Sequence, residues 1–265
     1  MECNIVDIPH KFGSKYHLHL YSDIHGEWDR VIPHMRKRAE LPNSYFVLLG
    51  DNDDWIFPKD PRYLESKKPK ELQGVDDYVD AAIEQQYERL KEFRFLFISM
   101  GNHDFEMLNR HMTCPTARLA RKLGAAYGGY SGFLRIQFRN SKRVRCQFTL
   151  LYHHGGSAGA VTKGMPWAQR YSSGWDGWDV FAFGHTHQLW CDYQRRGHMG
   201  GNGSLLFRDT WIVNTGTWLE TYEQGGSPSY GERKGYKPVA LASPMICLEP
   251  TRQDKLNVIV TMGNR

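Results

Sequence analysis

Five short segments constrain this 265-residue chain more than anything else in it. They read Ser22-Asp23-Ile24-His25-Gly26, Gly50-Asp51-Asn52-Asp53-Asp54, Gly101-Asn102-His103-Asp104, His153-His154-Gly155 and Gly184-His185-Thr186-His187. Each offers carboxylate, amide or imidazole ligand atoms. Four follow directly on a hydrophobic, strand-like run, and the third follows one within two residues. In open α/β sheets, ligand-binding residues gather beyond the carboxyl ends of the strands. The pattern therefore predicts a chain that collects about eight ligand atoms at one sheet edge, enough for two metal ions.

The spacings fit that purpose. Asp23 and His25 are two residues apart, so both can point the same way as the chain leaves a strand, and His185 and His187 repeat the arrangement. Gly50 lets the backbone approach closely before Asp51. Imidazole mixed with carboxylate suits Mn²⁺, Fe or Zn²⁺ better than Mg²⁺ or Ca²⁺, which prefer all-oxygen cages. An aspartate can also bridge two cations. Taken singly, each segment reads more readily as an ordinary turn or surface feature. Their weight comes from all five standing at or just beyond strand ends.

The rest of the chain alternates strand and helix in its first half. Strands are expected at 16–22, 45–49 and 94–99, and helices at 27–40, 76–92 and 104–123, the last broken near Pro115. A polar, proline-bearing stretch runs from Phe57 to Pro69. The second half is mostly strand: 126–152, 181–183, 205–207, 211–214, 240–248 and 256–261. This order predicts a layered α/β fold with a mixed sheet or two facing sheets. One domain spanning 1–265 is expected, with 55–92 as a helical insertion or cap and a β-rich tail after about 220.

Composition narrows the partners. Mean hydropathy is −0.59, and no apolar run approaches the roughly 20 residues that span a bilayer. The N-terminus lacks a signal-peptide pattern, and the five cysteines are scattered without C-x-x-C spacing. Reduced thiols in the cytoplasm, away from membranes, are the expectation. The net charge of +5 makes nucleic acid a candidate partner. Basic residues cluster at Arg36-Lys37-Arg38, Lys67-Lys68-Pro69-Lys70, Arg135 to Arg145 and Arg195-Arg196, although solvated faces explain most such runs. The glycine-rich stretch 155–164 lacks P-loop spacing and reads as a lip beside the site, with Lys163 a candidate phosphate contact. Trp55, Phe57, Trp167, Trp175 and Trp178 could stack a nucleobase or belong to the core.

In order and composition, the five segments resemble the signature of the calcineurin-like metallophosphoesterases: D-x-H, G-D-x-x-D, G-N-H-D/E, a histidine before glycine, and G-H-x-H. The resemblance spans about 16–218 and takes in Val213-Asn214-Thr215-Gly216-Thr217. It implies a layered metallophosphoesterase fold, a β-sandwich of mixed sheets flanked by helices. It also implies two divalent ions, with Mn²⁺ first and Fe, Zn²⁺ or Ni²⁺ as alternatives. One ion would be held by Asp23, His25, Asp51 and His187, and the other by Asp51, Asn102, His154 and His185. In-line attack on phosphorus by water that the cations acidify would follow. His103 would stand over the site as proton donor, with Asp104 fixing its ring, and Asp54 would orient rather than ligate. Between His153 and His154, the family pattern selects His154, leaving His153, with Lys163 and Asp54, on the substrate side. His10, His17, His19, His34, His111 and His198 have no motif context, and His17 and His19 read as structural. Three functions stay open: a phosphodiesterase or nuclease acting on a nucleotide or nucleic acid, a phosphomonoesterase acting on phosphoprotein or a small ester, and a non-catalytic binding module of the same fold.

Overall fold

The computed structural model describes residues 1–56, 72, 75–156, 159, 161–222, 224–225, 228–251 and 255–263. The expected insertion at 57–69 and the Lys67–Lys70 cluster lie outside the described residues, as does Phe57. In chain order the elements begin β1 (Glu2–Pro9), β2 (Tyr16–Tyr21), α1 (Trp28–Ala39), β3 (Ser44–Leu49), α2 (Tyr78–Leu90) and β4 (Phe95–Ser99). Next come α3 (Asn102–His111), α4 (Pro115–Lys122), β5 (Ala126–Tyr127), β6 (Ser131–Asn140), β7 (Arg143–His153) and α5 (Met165–Ser173). The chain closes with β8 (Val180–Phe183), β9 (Leu189–Met199), β10 (Leu205–Thr215), α6 (Tyr230–Arg233), β11 (Met245–Pro250) and β12 (Leu256–Thr261).

Two six-stranded mixed sheets result, ordered β1-β6-β7-β8-β10-β9 and β12-β11-β2-β3-β4-β5. Strands β2 to β5 run parallel, as helical crossovers require; β11 joins β2 antiparallel, and β12 pairs antiparallel with β11 at the edge. Leu18, Leu20, Val47, Leu49 and Phe97 from this sheet meet Leu134, Ile136, Phe148, Leu150 and Val180 from the other in one buried core. The outer faces are apolar too. Val31, Ile83 and Leu119, from three helices, cover Phe46, Leu48 and Ile98. Trp167 and Ala168 of α5 cover Leu151, Phe181 and Phe183. The fold is therefore a mixed β-sandwich flanked by helices, and burial on both faces explains why the central strands read as unbroken apolar runs.

Four elements differ from the sequence reading. The strand β1 and the long strand β9 were not expected, and 205–207 and 211–214 form one 11-residue strand, β10, paired along its whole length with β9. Its charged middle is tolerated because Arg208 pairs with Asp179 and Asp209 with Arg195, both toward solvent. Helix α5 also emerges where no helix was expected. No helix among the described residues is long and apolar enough to cross a membrane.

Candidate metal centre

Strands β2, β3, β4, β7 and β8 end at one edge of the sandwich, and each hands its chain to one of the five segments. The backbone there is unusual. Asp23, His25, Asp51, His185 and His187 all have positive φ, between 49° and 67°, in the left-handed region that few non-glycine residues enter. Such strain persists only where surrounding bonds over-determine it, and here they do. His25 N donates to Asp51 O at 3.0 Å, Asp23 N to Gly50 O at 3.0 Å, and Trp218 N to Asp23 O at 3.0 Å. Gly50 itself has φ 99°, and a Cβ there would meet His154 Nδ1 at 2.6 Å and the Gly101 backbone at 2.7 Å. Three ligand-bearing segments thus touch across a residue with no side chain.

The expected ligand residues come together as two adjoining groups. In the first, His25 Nε2 lies 3.1 Å from His187 Nε2, and Asp23 Oδ1 lies 3.4 Å from His187 Nε2 and 4.0 Å from His25 Nε2. In the second, His154 Nε2 lies 3.1 Å from both Asp51 Oδ2 and Asn102 Oδ1, and His185 Nδ1 lies 2.8 Å from Asn102 Oδ1. Asp51 falls within reach of both histidine sets. Asp23, Asp51 and His154 are almost wholly buried.

The donor set fits divalent cations. His25 Nδ1–H donates to Asp54 Oδ1 at 2.6 Å and His154 Nδ1–H donates to Leu49 O at 2.9 Å, so each ring turns a lone pair at Nε2 inward. Those lone pairs face carboxylate and amide oxygens, an arrangement that repels itself until a positive charge sits among them. Burial opposes charge on both rings, yet Asp54, Asp51 and Asp23 around them win and push His25 and His154 up to about 9. Burial likewise opposes the Asp51 carboxylate, but the ring of His154, with His103 and His25 beyond it, holds it well below the usual range. The pocket has a surplus of negative charge.

His103 stands at the second position of helix α3, beside this cluster. Its Nδ1–H donates to the Asp54 backbone carbonyl at 3.0 Å, and its Nε2 stands 3.9 Å from Asp51 Oδ2. Here one expectation is corrected. Asp104 does not fix the His103 ring: at the third position of α3 its carboxylate folds back onto Gly101 N at 2.9 Å, capping the helix, and takes Trp55 Nε1–H at 2.9 Å and the Thr116 hydroxyl. Asp54 holds the ring instead, while its carboxylate holds His25. Burial pushes Asp104 up to about 6.

The two adjacent histidines diverge. His153 turns away from the cluster, accepting from Gly155 N at 2.9 Å, with its ring 4.8 Å from Tyr171 and 5.1 Å from Trp167. Lys163 is tied to the site through its backbone: its carbonyl accepts from Asn214 Nδ2, which also donates to Thr186 Oγ1 at 2.5 Å. Trp55 and Trp178 are buried among core residues, so stacking a base is not open to them. Sequence reasoning passed over Tyr130, whose ring lies 5.5 Å from His154 and 6.4 Å from the exposed Phe105. Two glycines before Tyr130 were its only signal.

The model of the calcineurin-like phosphoesterase family matches residues 16–189. The chain belongs to that family and is a metal-dependent phosphoester hydrolase. Several solved structures overlap it loosely. An archaeal phosphodiesterase is 13% identical, with 92% of this chain and 99% of that chain covered and a TM-score of 0.41. A metallophosphoesterase from Sphaerobacter thermophilus is 13% identical, covering 94% and 88%, with a TM-score of 0.40. YfcE, a phosphoesterase from E. coli, is 16% identical, covering 94% and 100%, with a TM-score of 0.37. At those scores they do not bear on activity. No curated protein matches the chain.

Proposed function

We propose that this protein is a two-metal phosphodiesterase whose substrate is a nucleotide or a similarly small diester, with Mn²⁺ as the working ion. The observation that carries the reading is the pair of ligand groups joined at Asp51. Asp23, His25, Asp51 and His187 would hold one ion, and Asp51, Asn102, His154 and His185 the other. Ions bound there supply Lewis acidity toward phosphoryl oxygens and an acidified water. His103 protonates the leaving oxygen from Nε2, because Nδ1–H is committed to Asp54. Mixed nitrogen and oxygen donors favour Mn²⁺ over Mg²⁺.

A small diester is favoured over a long nucleic acid by where the positive charge falls. Helix α1 starts beside the first segment, so Arg36-Lys37-Arg38 in its last turn lie about 12 Å or more away along the axis. Strand β7 ends at His153, so Arg143 and Arg145 at its start are about 25–35 Å away. Tyr130 and Phe105 give the His154 side an aromatic rim suited to an organic group on the phosphate. We also read the chain as one domain, since both sheets contribute ligands, and as cytoplasmic, since its five cysteines stand as thiols rather than disulfides.

Purified protein loaded with Mn²⁺ and offered bis-p-nitrophenyl phosphate and p-nitrophenyl phosphate tests the reading. The diester is expected to turn over faster. A preference for the monoester would overturn the diesterase assignment, and no turnover with Mn²⁺, Fe²⁺, Zn²⁺ or Ni²⁺ would leave a binding module.

A further inference from the structure

Trp55 adopts φ 46°, a left-handed conformation that a bulky side chain rarely takes. Its indole is 5% exposed and donates Nε1–H to Asp104 Oδ1 at 2.9 Å. Asp104 is fully buried and fastened in turn to Gly101 N and Thr116 Oγ1, at the mouths of α3 and α4. The indole is therefore anchored to the turn that carries His103. The residue before Trp55 is Asp54, whose carbonyl takes His103 Nδ1–H at 3.0 Å and whose carboxylate takes His25 Nδ1–H at 2.6 Å. One strained peptide thus sits between the ring of a proposed metal ligand and that of the proposed proton donor.

We propose that Trp55 is a positioning residue for His103: anchored on Asp104, its indole holds the left-handed backbone that aims the Asp54 carbonyl at Nδ1. The proposal rests on the reading of His103 as proton donor. With Nδ1–H fixed on the carbonyl, the ring cannot swing, and Nε2 is the nitrogen that serves the leaving group. In that step the Nε2–H bond breaks, an O–H bond forms on the departing alcohol, and the imidazolium becomes neutral. A ring free to turn still reaches the oxygen, but less often. That loss matters most when the leaving oxygen is basic and needs its proton early.

The test compares methyl p-nitrophenyl phosphate with methyl phenyl phosphate, which differ only in leaving group, on the Mn²⁺-loaded protein. Trp55→Phe removes the N–H and keeps an aromatic ring. It is expected to lower kcat for the phenyl ester about 10-fold and for the nitrophenyl ester less than about 3-fold. KM and metal content stay at wild-type values. If Trp55→Phe does not fold, benzothienylalanine at position 55 keeps the ring shape and still lacks the donor. Thr116→Val loses a different bond to Asp104 and should leave the ratio of the two rates unchanged. Equal losses on both esters, a drop in bound metal, or the same ratio change in Thr116→Val would each overturn the proposal. His103→Ala separates the two layers: if it shows no leaving-group dependence, the proton-donor reading fails. If it does and Trp55→Phe does not, only the role of Trp55 falls.

Discussion

Replacing Gly50 by alanine should damage stability and metal binding together. Gly50 has φ 99°, where an L-residue pays about 1–2 kcal/mol. The new Cβ would stand 2.7 Å from the Gly101 backbone and 2.6 Å from His154 Nδ1, well inside ordinary contact. Backbone cannot rotate away as a side chain does, so β3 and β4 must part by several tenths of an ångström, an overpacking cost of about 1–3 kcal/mol. Together these come to roughly 3 kcal/mol, which for a chain of this size lowers Tm by about 5–6 °C. Differential scanning calorimetry of the metal-free protein reads that term. Metal analysis reads the other, because the displaced His154 ring loses its bond to Leu49 O and its aim at Asp51. A Gly50→Ala protein with Tm within about 2 °C of wild type and full metal content would show that the three segments do not meet at Gly50 as described.

Other changes separate the roles assigned to neighbours. His154→Ala should lose metal, whereas His153→Phe, whose ring fills the same aromatic niche, should keep it; metal analysis after dialysis distinguishes them. Asp54→Ala removes the carboxylate that holds the His25 ring and keeps the backbone carbonyl that holds His103, so metal affinity should fall about 10–100-fold and turnover with it, by titration and steady-state kinetics. His19 lies far from the metals on β2, and burial, helped by Arg38, pushes it down to about 3. The unfolded chain takes up a proton near its ordinary value of 6.5 while the folded protein refuses one, so stability is full above pH 6.5 and falls as pH drops toward 3. Between pH 6.5 and 5 the loss is on the order of 2 kcal/mol, read by urea unfolding against a His19→Phe control whose slope should be flatter.

The strands that carry the ligands were legible because physics leaves them little latitude. Tyr16–Tyr21 and the end of Ser44–Leu49 are buried on both faces, so apart from His17 and His19 their residues are apolar or aromatic, and both strands end at polar motifs. Edge strands carry no such constraint. Glu2–Pro9 and Leu189–Met199 expose every second residue or more, and their charges and glycine hid them. The candidate ligands were readable as residue types, and the structure gathers all seven. What lay beyond them was not readable, because it depends on backbone. The carbonyl of Asp54 that holds His103 looks the same in sequence as any other carbonyl. Asp104 looked like a partner for its neighbour because nothing in Gly101-Asn102-His103-Asp104 says that its carboxylate folds back onto Gly101 N. Trp55 read as either a stacking platform or a core residue, and it is buried with its indole N–H on Asp104.

Everything proposed for this site depends on two divalent ions sharing Asp51. Counting Mn²⁺ by mass spectrometry after exhaustive dialysis, alongside turnover of bis-p-nitrophenyl phosphate, tests that sharing most directly. Two ions per chain are expected in the wild-type protein. In Asp51→Asn no more than one is expected, with turnover reduced about a hundredfold or more. One ion per wild-type chain, or an Asp51→Asn protein that keeps two ions and its rate, would contradict the sharing of Asp51.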